Sequence, residues 1–168
     1  MNSELDGKIV LVTGGAGGIG CVISESFAEQ GAKVIVHYKH SKEKAELIAK
    51  KIKGAPMYAD LTDSKQAKEL FDNIIDMEGK IDICIANAGK YPKDYAPLWE
   101  IEFERWNNTI STNLSLAYNT SRYFLKHVAE TKKGSLVLIG STAGIYGEAG
   151  HADYAAAKGA ITSGLLRT

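Results

Sequence analysis

The chain has 168 residues, 45% of them hydrophobic and 24% charged, a globular balance long enough to bury one core and inconsistent with disorder. Lys and Arg together number 20, as do Asp and Glu, so the formal net charge is zero and offers no whole-molecule attraction for nucleic acid or an anionic membrane. No basic and apolar leader opens the sequence and no apolar run reaches the roughly 20 residues of a membrane span, so a cytoplasmic protein with no membrane partner is expected.

Lys8 to Val12 predicts a buried strand, and Thr13-Gly14-Gly15-Ala16-Gly17-Gly18-Ile19-Gly20 follows it with five glycines in eight residues. Glycine permits positive φ and close backbone approach, so such a turn can lie against a phosphate. Past Gly20, Val22, Ile23, Phe27 and Ala28 fall on one face of a predicted helix, with Glu25, Glu29 and Gln30 off it. A helix N-terminus leaves backbone N–H groups unpaired, so strand, turn and helix together predict an anion site. Two templates fit the run, Gly15-x-Gly17-x-x-Gly20 and Gly14-x-x-x-Gly18-x-Gly20. Either reads as a dinucleotide pyrophosphate site; the alternative is a tight connection with no ligand. No Gly-Lys-Ser/Thr follows, which excludes a Walker A loop. Of the two cysteines, Cys84 is expected in the core; Cys21 suits helix packing, with a thiol activated by the helix N-terminus as the other reading.

Gly31 marks a C-cap, and Ala32 to Val36 predicts a second strand, parallel to the first by the intervening helix. At its end stand His37, Tyr38, Lys39, His40 and Ser41, where the dinucleotide fingerprint places a carboxylate for the ribose 2′-OH; the first acid is Glu43. Cation and hydroxyl donors suit a 2′-phosphate, which favours NADP with NAD as the alternative; a basic helix entrance wetted by solvent explains the same residues. Ser41 to Lys53 predicts a lysine-rich helix with an apolar stripe at Ala45, Ile48, Ala49 and Ile52. Pro56 to Ala59 is a brief third strand, and Asp60-Leu61-Thr62-Asp63 a turn capping a helix from about Ser64 to Met77. Asp60 has two open roles, acceptor for an adenine amino group and turn residue.

Ile81 to Ala86 predicts a fourth strand ended by Asn87-Ala88-Gly89, then an irregular loop from Lys90 to Glu100 long enough to be functional. Phe103 to about Glu130 predicts one long helix with Trp106, Ile110, Leu114, Ala117, Ser121, Leu125 and Val128 near one face, a length that suits a partner surface. Ser135 to Ile139 is a fifth strand, apolar throughout and expected to be buried on both faces. The whole reads as a single α/β domain over residues 1–168, a doubly wound parallel sheet of the Rossmann type with about five strands and helices on both faces. Ligands belong beyond the carboxyl ends of its strands, and no metal site is expected.

Thirteen residues beyond Ser141 comes Tyr154-Ala155-Ala156-Ala157-Lys158. Tyr and Lys at i and i+4 share a helix face, and an ammonium beside a phenol stabilises the phenolate, which otherwise forms only near pH 10. Tyr154 could then pass a proton to a carbonyl oxygen to which Ser141 hydrogen-bonds while hydride arrives at carbon; a surface helix pair is the alternative.

Thr13-Gly14-x-x-x-Gly18-x-Gly20, Asn87-Ala88-Gly89, Asn113, Ser141 and Tyr154-x-x-x-Lys158, in that order, resemble the classical short-chain dehydrogenases/reductases along the whole chain. The resemblance implies an oxidoreductase moving hydride between a nicotinamide cofactor and a small carbonyl or alcohol substrate. It implies Tyr154 as general acid/base, Ser141 orienting the carbonyl, Lys158 tuning Tyr154 and holding the nicotinamide ribose, and Asn113 supporting a proton relay toward Lys158. It selects the Gly14, Gly18, Gly20 spacing and implies cofactor contacts at Gly14, Gly18, Ile19, Gly20, Tyr38, Lys39, Ser41, Asp60, Leu61, Asn87, Ala88, Gly89, Tyr154 and Lys158. Gly147 to Lys158 looks most like 3-oxoacyl-[acyl-carrier-protein] reductases, although relatives acting on sugars, polyols or steroids carry similar segments. Homo-oligomers through the helices at 103–130 and 154–168 are expected.

Two departures stand out. The glycine loop carries Ala16 and Gly17 where such reductases often have an arginine, so NADP rests on Lys39 and its neighbours. The chain stops ten residues after Lys158, whereas the family continues through further strands and a segment that closes over substrate, so a C-terminal truncation is expected and the fifth strand becomes an apolar sheet edge. Two functions follow as hypotheses: an NADP-linked oxidoreductase, or a dinucleotide-binding module or inactive fragment without turnover.

Overall fold

Short β-branched and aliphatic runs form β1 (Ile9–Val12), β2 (Lys33–Tyr38), β3 (Ala55–Tyr58), β4 (Ile83–Ala86) and β5 (Ser135–Leu138) in the computed structural model, which describes residues 4–167. All neighbours pair in parallel in the order β3-β2-β1-β4-β5. The helices are α1 (Gly18–Glu29), α2 (Lys42–Ile52), α3 (Ser64–Glu78), α4 (Phe103–Ile110), α5 (Leu116–Thr131), α6 (Ala143–Tyr146) and α7 (Ala152–Gly159). The chain is therefore an α/β doubly wound parallel sheet, as its alternation of elements predicts.

Strand side chains alternate between the two faces, and each face is covered by its own helices. Val10, Val12, Val34, Val36 and Ile85 pack with Ala45, Ile48 and Ala49 of α2 and with Ile23, Phe27 and Ala28 of α1. Ile9, Leu11, Ile35 and Cys84 pack instead with Ala67, Leu70, Phe71 and Ile74 of α3 and with Leu116, Ala117 and Phe124 of α5. Because the chain runs outward from β1 to β3 and then returns to β4 beside β1, the sheet opens a crevice between the carboxyl ends of β1 and β4.

Four expectations are revised. Val22 is 61% exposed, and Gly20 and Ser24 take the sheet-facing positions of α1, with the Ser24 hydroxyl donating to the Gly20 carbonyl at 2.8 Å. Small residues are needed there, since a Cβ on Gly20 would lie 2.1 Å from the Gly14 carbonyl oxygen. The long helix is continuous but passes through a π-turn at Ser111–Ser115 between α4 and α5. That extra residue shifts the buried face to Thr109, Asn113, Leu116, Ala117, Thr120, Ser121, Phe124 and His127, leaving Leu125 52% exposed. β5 is not buried on both faces: Leu136 and Leu138 pack on the α5 side, while Val137 on the other side is 43% exposed at the sheet edge. The Lys90 to Glu100 loop contains a short 3-10 turn at Leu98–Glu100, behind Pro97. The helix predicted from Tyr154 continues as a π-turn at Ala160–Gly164 and a 3-10 turn at Leu165–Arg167; its last residue, Thr168, lies outside the described residues.

Candidate active site

Hydrogen bonds from behind shape the glycine turn. Thr13 is fully buried, and its hydroxyl donates to the Ile85 carbonyl at 3.2 Å while accepting from the Asn87 and Ala88 N–H groups, each at 3.0 Å. Asn87 returns the link, its side-chain amide donating to the Thr13 carbonyl at 2.9 Å and the Gly14 carbonyl at 3.3 Å. These bonds tie the ends of β1 and β4 together across the crevice. Gly14 sits at φ 62°, a conformation that an L side chain rarely adopts. A Cβ on Gly18 would meet nothing within 4 Å, so the start of α1 faces open space.

His37 does not join the basic group expected at the end of β2. It is buried, its Nδ1 accepts from the Gly14 N–H at 3.0 Å, and its Nε2 lies 3.0 Å from the Ala59 carbonyl. That pair of partners requires the neutral ring with the proton on Nε2. Burial pulls its pKa from 6.5 down to about 4, against a smaller upward pull from the Ala59 carbonyl and Asp60.

Lys39 and Asp60, assigned separate roles above, meet in an ion pair, Nζ to Oδ2 at 2.6 Å. The other Asp60 oxygen accepts from the Thr62 N–H at 3.0 Å and the Thr62 hydroxyl at 2.6 Å. Partial burial pushes the Asp60 carboxyl upward, but the bonds from Lys39 and Thr62 outweigh it and hold the group below the usual carboxylate range. The helix-capping role belongs to Asp63, whose side chain accepts from the Lys65 and Gln66 N–H groups at the start of α3.

Gly14, Gly18, Ile19, Gly20, Tyr38, Lys39, Ser41, Asp60, Leu61, Asn87, Ala88 and Gly89 all line one cleft of about 570 Å³ at the carboxyl ends of the strands. Asn113, Ser141, Tyr154 and Lys158 are outside that lining and gather past its Gly89 end. A Cβ on Gly89 would lie 2.8 Å from Asn113 Oδ1 and 3.7 Å from Lys158 Nζ. Asn113 holds Lys90 by both backbone groups, accepting from its N–H at 3.2 Å and donating to its carbonyl at 2.9 Å. The same amide donates to the Thr109 carbonyl at 3.0 Å, inside the π-turned stretch of helix. Lys158 is buried; its ammonium donates to the Ile139 carbonyl at 2.8 Å and stands 5.8 Å from the Tyr154 ring centroid, and burial lowers its pKa. Ser141, two residues beyond Ile139, accepts through Oγ from the Ala143 N–H at 3.2 Å. The backbones of α6 and α7 touch at Gly144, where a Cβ would lie 2.5 Å from the Lys158 carbonyl carbon.

Several residues of this region gave no separate signal in the sequence. Asp153, fully buried beside Tyr154, takes Arg105 of α4 as an ion pair at 3.0 Å and the Thr109 hydroxyl at 2.8 Å. Arg105 also donates to the Gly150 carbonyl at 3.3 Å, so α7 is pinned to the helix that carries Asn113. Tyr91 presents its ring to Tyr154 edge-on at 5.0 Å, stacks on His151 at 4.7 Å and donates to Glu148 at 2.6 Å. An arginine followed by acids across a loop is too common a pattern to single out Arg105 and Asp153.

Comparison with known proteins agrees with this geometry. The short chain dehydrogenase family matches residues 8–167. The 3-oxoacyl-[acyl-carrier-protein] reductase FabG of Thermotoga maritima is 34% identical over 170 residues, covering 98% of this chain and 68% of its own length. The reductase of the same name from Escherichia coli is 35% identical over 160 residues, covering 94% of this chain and 64% of its own. Elsinochrome reductase 1 of Elsinoe fawcettii is 33% identical over 165 residues, 95% of this chain and 60% of its own. The chain thus spans about two thirds of the length of the curated relatives it matches. Among the described residues no helix is long and apolar enough to cross a membrane. With its parallel sheet, its glycine turn and a family match along nearly its whole length, this chain belongs to the short-chain dehydrogenase family.

Proposed function

We propose that this protein is an NADP(H)-dependent oxidoreductase that interconverts a carbonyl and an alcohol, with 3-oxoacyl thioesters of an acyl-carrier protein as its substrate class. The observation that carries the reading is the buried Lys158 ammonium at the Gly89 end of the cleft, 5.8 Å from the Tyr154 ring. A dinucleotide suits the cleft: the open side of Gly18 and the N-terminus of α1 offer a place for the pyrophosphate, Asp60 and Leu61 for the adenine, and Tyr38, Lys39 and Ser41 for the 2′-phosphate. Gly14, Ile19, Gly20, Asn87, Ala88 and Gly89 complete the cradle toward Tyr154 and Lys158. When bound, the nicotinamide supplies the hydride to the carbonyl carbon. Tyr154 holds the proton at its phenol oxygen and gives it to the carbonyl oxygen, which Ser141 keeps in place. Lys158 offers the ribose hydroxyls a donor and stabilises the phenolate left behind, and Asn113 keeps the Lys90 backbone in position for a water-linked return of the proton.

The relatives named as 3-oxoacyl-[acyl-carrier-protein] reductases support the substrate class. The second reading, a dinucleotide-binding domain without turnover, is favoured by the shorter span of this chain. Tyr154→Phe separates the two. NADPH oxidation with a β-ketoacyl thioester should fall by about 10² to 10⁴-fold while cofactor binding persists, as general acid catalysis implies. Turnover undiminished in Tyr154→Phe overturns the catalytic assignment, and an unaltered protein that binds cofactor but turns over no ketone leaves the binding domain. Self-association belongs to the same reading, through the helices at 103–130 and 154–168. The exposed Phe103, Tyr118 and Leu125 on the first helix support it, and sedimentation of the unaltered protein tests it.

A further inference from the structure

The ion pair at the adenosine end of the cleft has unequal partners. Asp60 is immobilised: Oδ1 takes two bonds from Thr62, Oδ2 takes Lys39, and its own N–H donates to Gln66 at 3.0 Å. Lys39 is anchored only through its backbone in the edge of β2, and its flexible side chain, about a third exposed, can swing. Both side chains line the same cleft as Ser41 and the glycine turn. A 2′-phosphate placed there meets a cation already neutralised by a carboxylate, and drawing Lys39 away leaves that carboxylate facing the phosphate. A 2′-hydroxyl requires no such exchange, since the closed pair offers it both a donor and an acceptor.

We infer that Asp60 is a specificity-determining residue that limits the preference for NADP(H) over NAD(H) by holding Lys39 and repelling the 2′-phosphate. The inference rests on the proposal above that the cleft binds a dinucleotide with Lys39 beside its 2′-position. Any contact between Asp60 and the adenine is common to both cofactors and cancels from the ratio of their affinities, so the ratio reports the 2′-position alone.

The experiment measures NADPH and NADH dissociation constants for the protein and for Asp60→Asn, Lys39→Ala and the double variant. Asp60→Asn keeps an acceptor for Thr62, and Asp60→Ser, with a shorter acceptor, serves if the first variant does not fold. The expected result is a rise of about tenfold in the preference for NADPH on removing the carboxylate, the scale of one screened charge at close range. Lys39→Ala lowers the preference, and in that background the gain from Asp60→Asn shrinks because the latch is gone. An unchanged ratio in both Asp60 variants overturns the inference while a drop in Lys39→Ala leaves the cofactor reading standing. A gain undiminished without Lys39 overturns the latch, and a wild-type ratio in Lys39→Ala overturns both.

Discussion

At the glycine-turn end of the cleft the groups that fix the backbone are neutral: Thr13, Asn87 and an uncharged His37, each bonded to peptide groups. At the α7 end they are charged: Asp153 against Arg105, and Lys158 against the Ile139 carbonyl. The difference follows from what each end must present. An anion site made of backbone N–H groups needs them aimed outward with no competing charge close behind, so hydroxyl, amide and imidazole partners suit it. A proton-transfer site instead needs a fixed cation in a dry setting, and the buried ion pair next to Tyr154 keeps that helix from rotating.

Three substitutions or titrations break this contrast, the first with the largest effect. Asp153→Ala leaves the Arg105 guanidinium partly buried without its carboxylate, and the chemical-denaturation midpoint should report a loss of about 3–5 kcal/mol. Asp153→Asn, which keeps the bond from Thr109, should lose less. The second is the acid titration of His37. Its folded pKa, about 4, lies below its ordinary 6.5, so its contribution to stability is complete above pH 6.5 and disappears as the pH falls to about 4. The loss amounts to about 3 kcal/mol. His37→Gln should flatten that part of the stability profile, and a profile identical to the wild type's would place the acid sensitivity in the carboxylates. The third is Thr13→Val, which removes the shared acceptor of the Asn87 and Ala88 N–H groups and should cost about 1–3 kcal/mol with weaker cofactor binding, measured by calorimetry. Equal losses from Thr13→Val and Asp153→Ala would erase the distinction between the two ends.

The apolar runs and glycine punctuation were enough to read the five strands, their alternation with helices and the glycine turn, because strand length and burial are local properties. The pairing of Tyr154 with Lys158 was legible for the same reason, since i and i+4 on a helix are neighbours without any tertiary information. His37 was not. Its place in a basic cluster of the sequence suggested a solvent-facing cation, yet strand alternation turns it inward beneath the glycine turn, where only a neutral ring fits. Lys39 and Asp60 stand on different strand ends, 21 positions apart, and their pairing depends on β2 and β3 lying side by side. β5 read as two-sided because composition records apolarity but not whether a helix or strand lies beyond Val137.

The π-turn at Ser111–Ser115 ties the proton-transfer region to the length of a helix. Asn113 sits inside it, and its side chain satisfies the Thr109 carbonyl that the widened turn leaves free. Removing one residue from that turn would restore ordinary α-helical spacing, but it would rotate everything after it by about 100°, because each residue advances an α-helix by that angle. Phe124 would leave the core and His127 would leave the Ile81 N–H that it accepts. Helix length here is therefore not adjustable one residue at a time, and a family comparison of this segment should find it free of single-residue gaps even where its outer face varies.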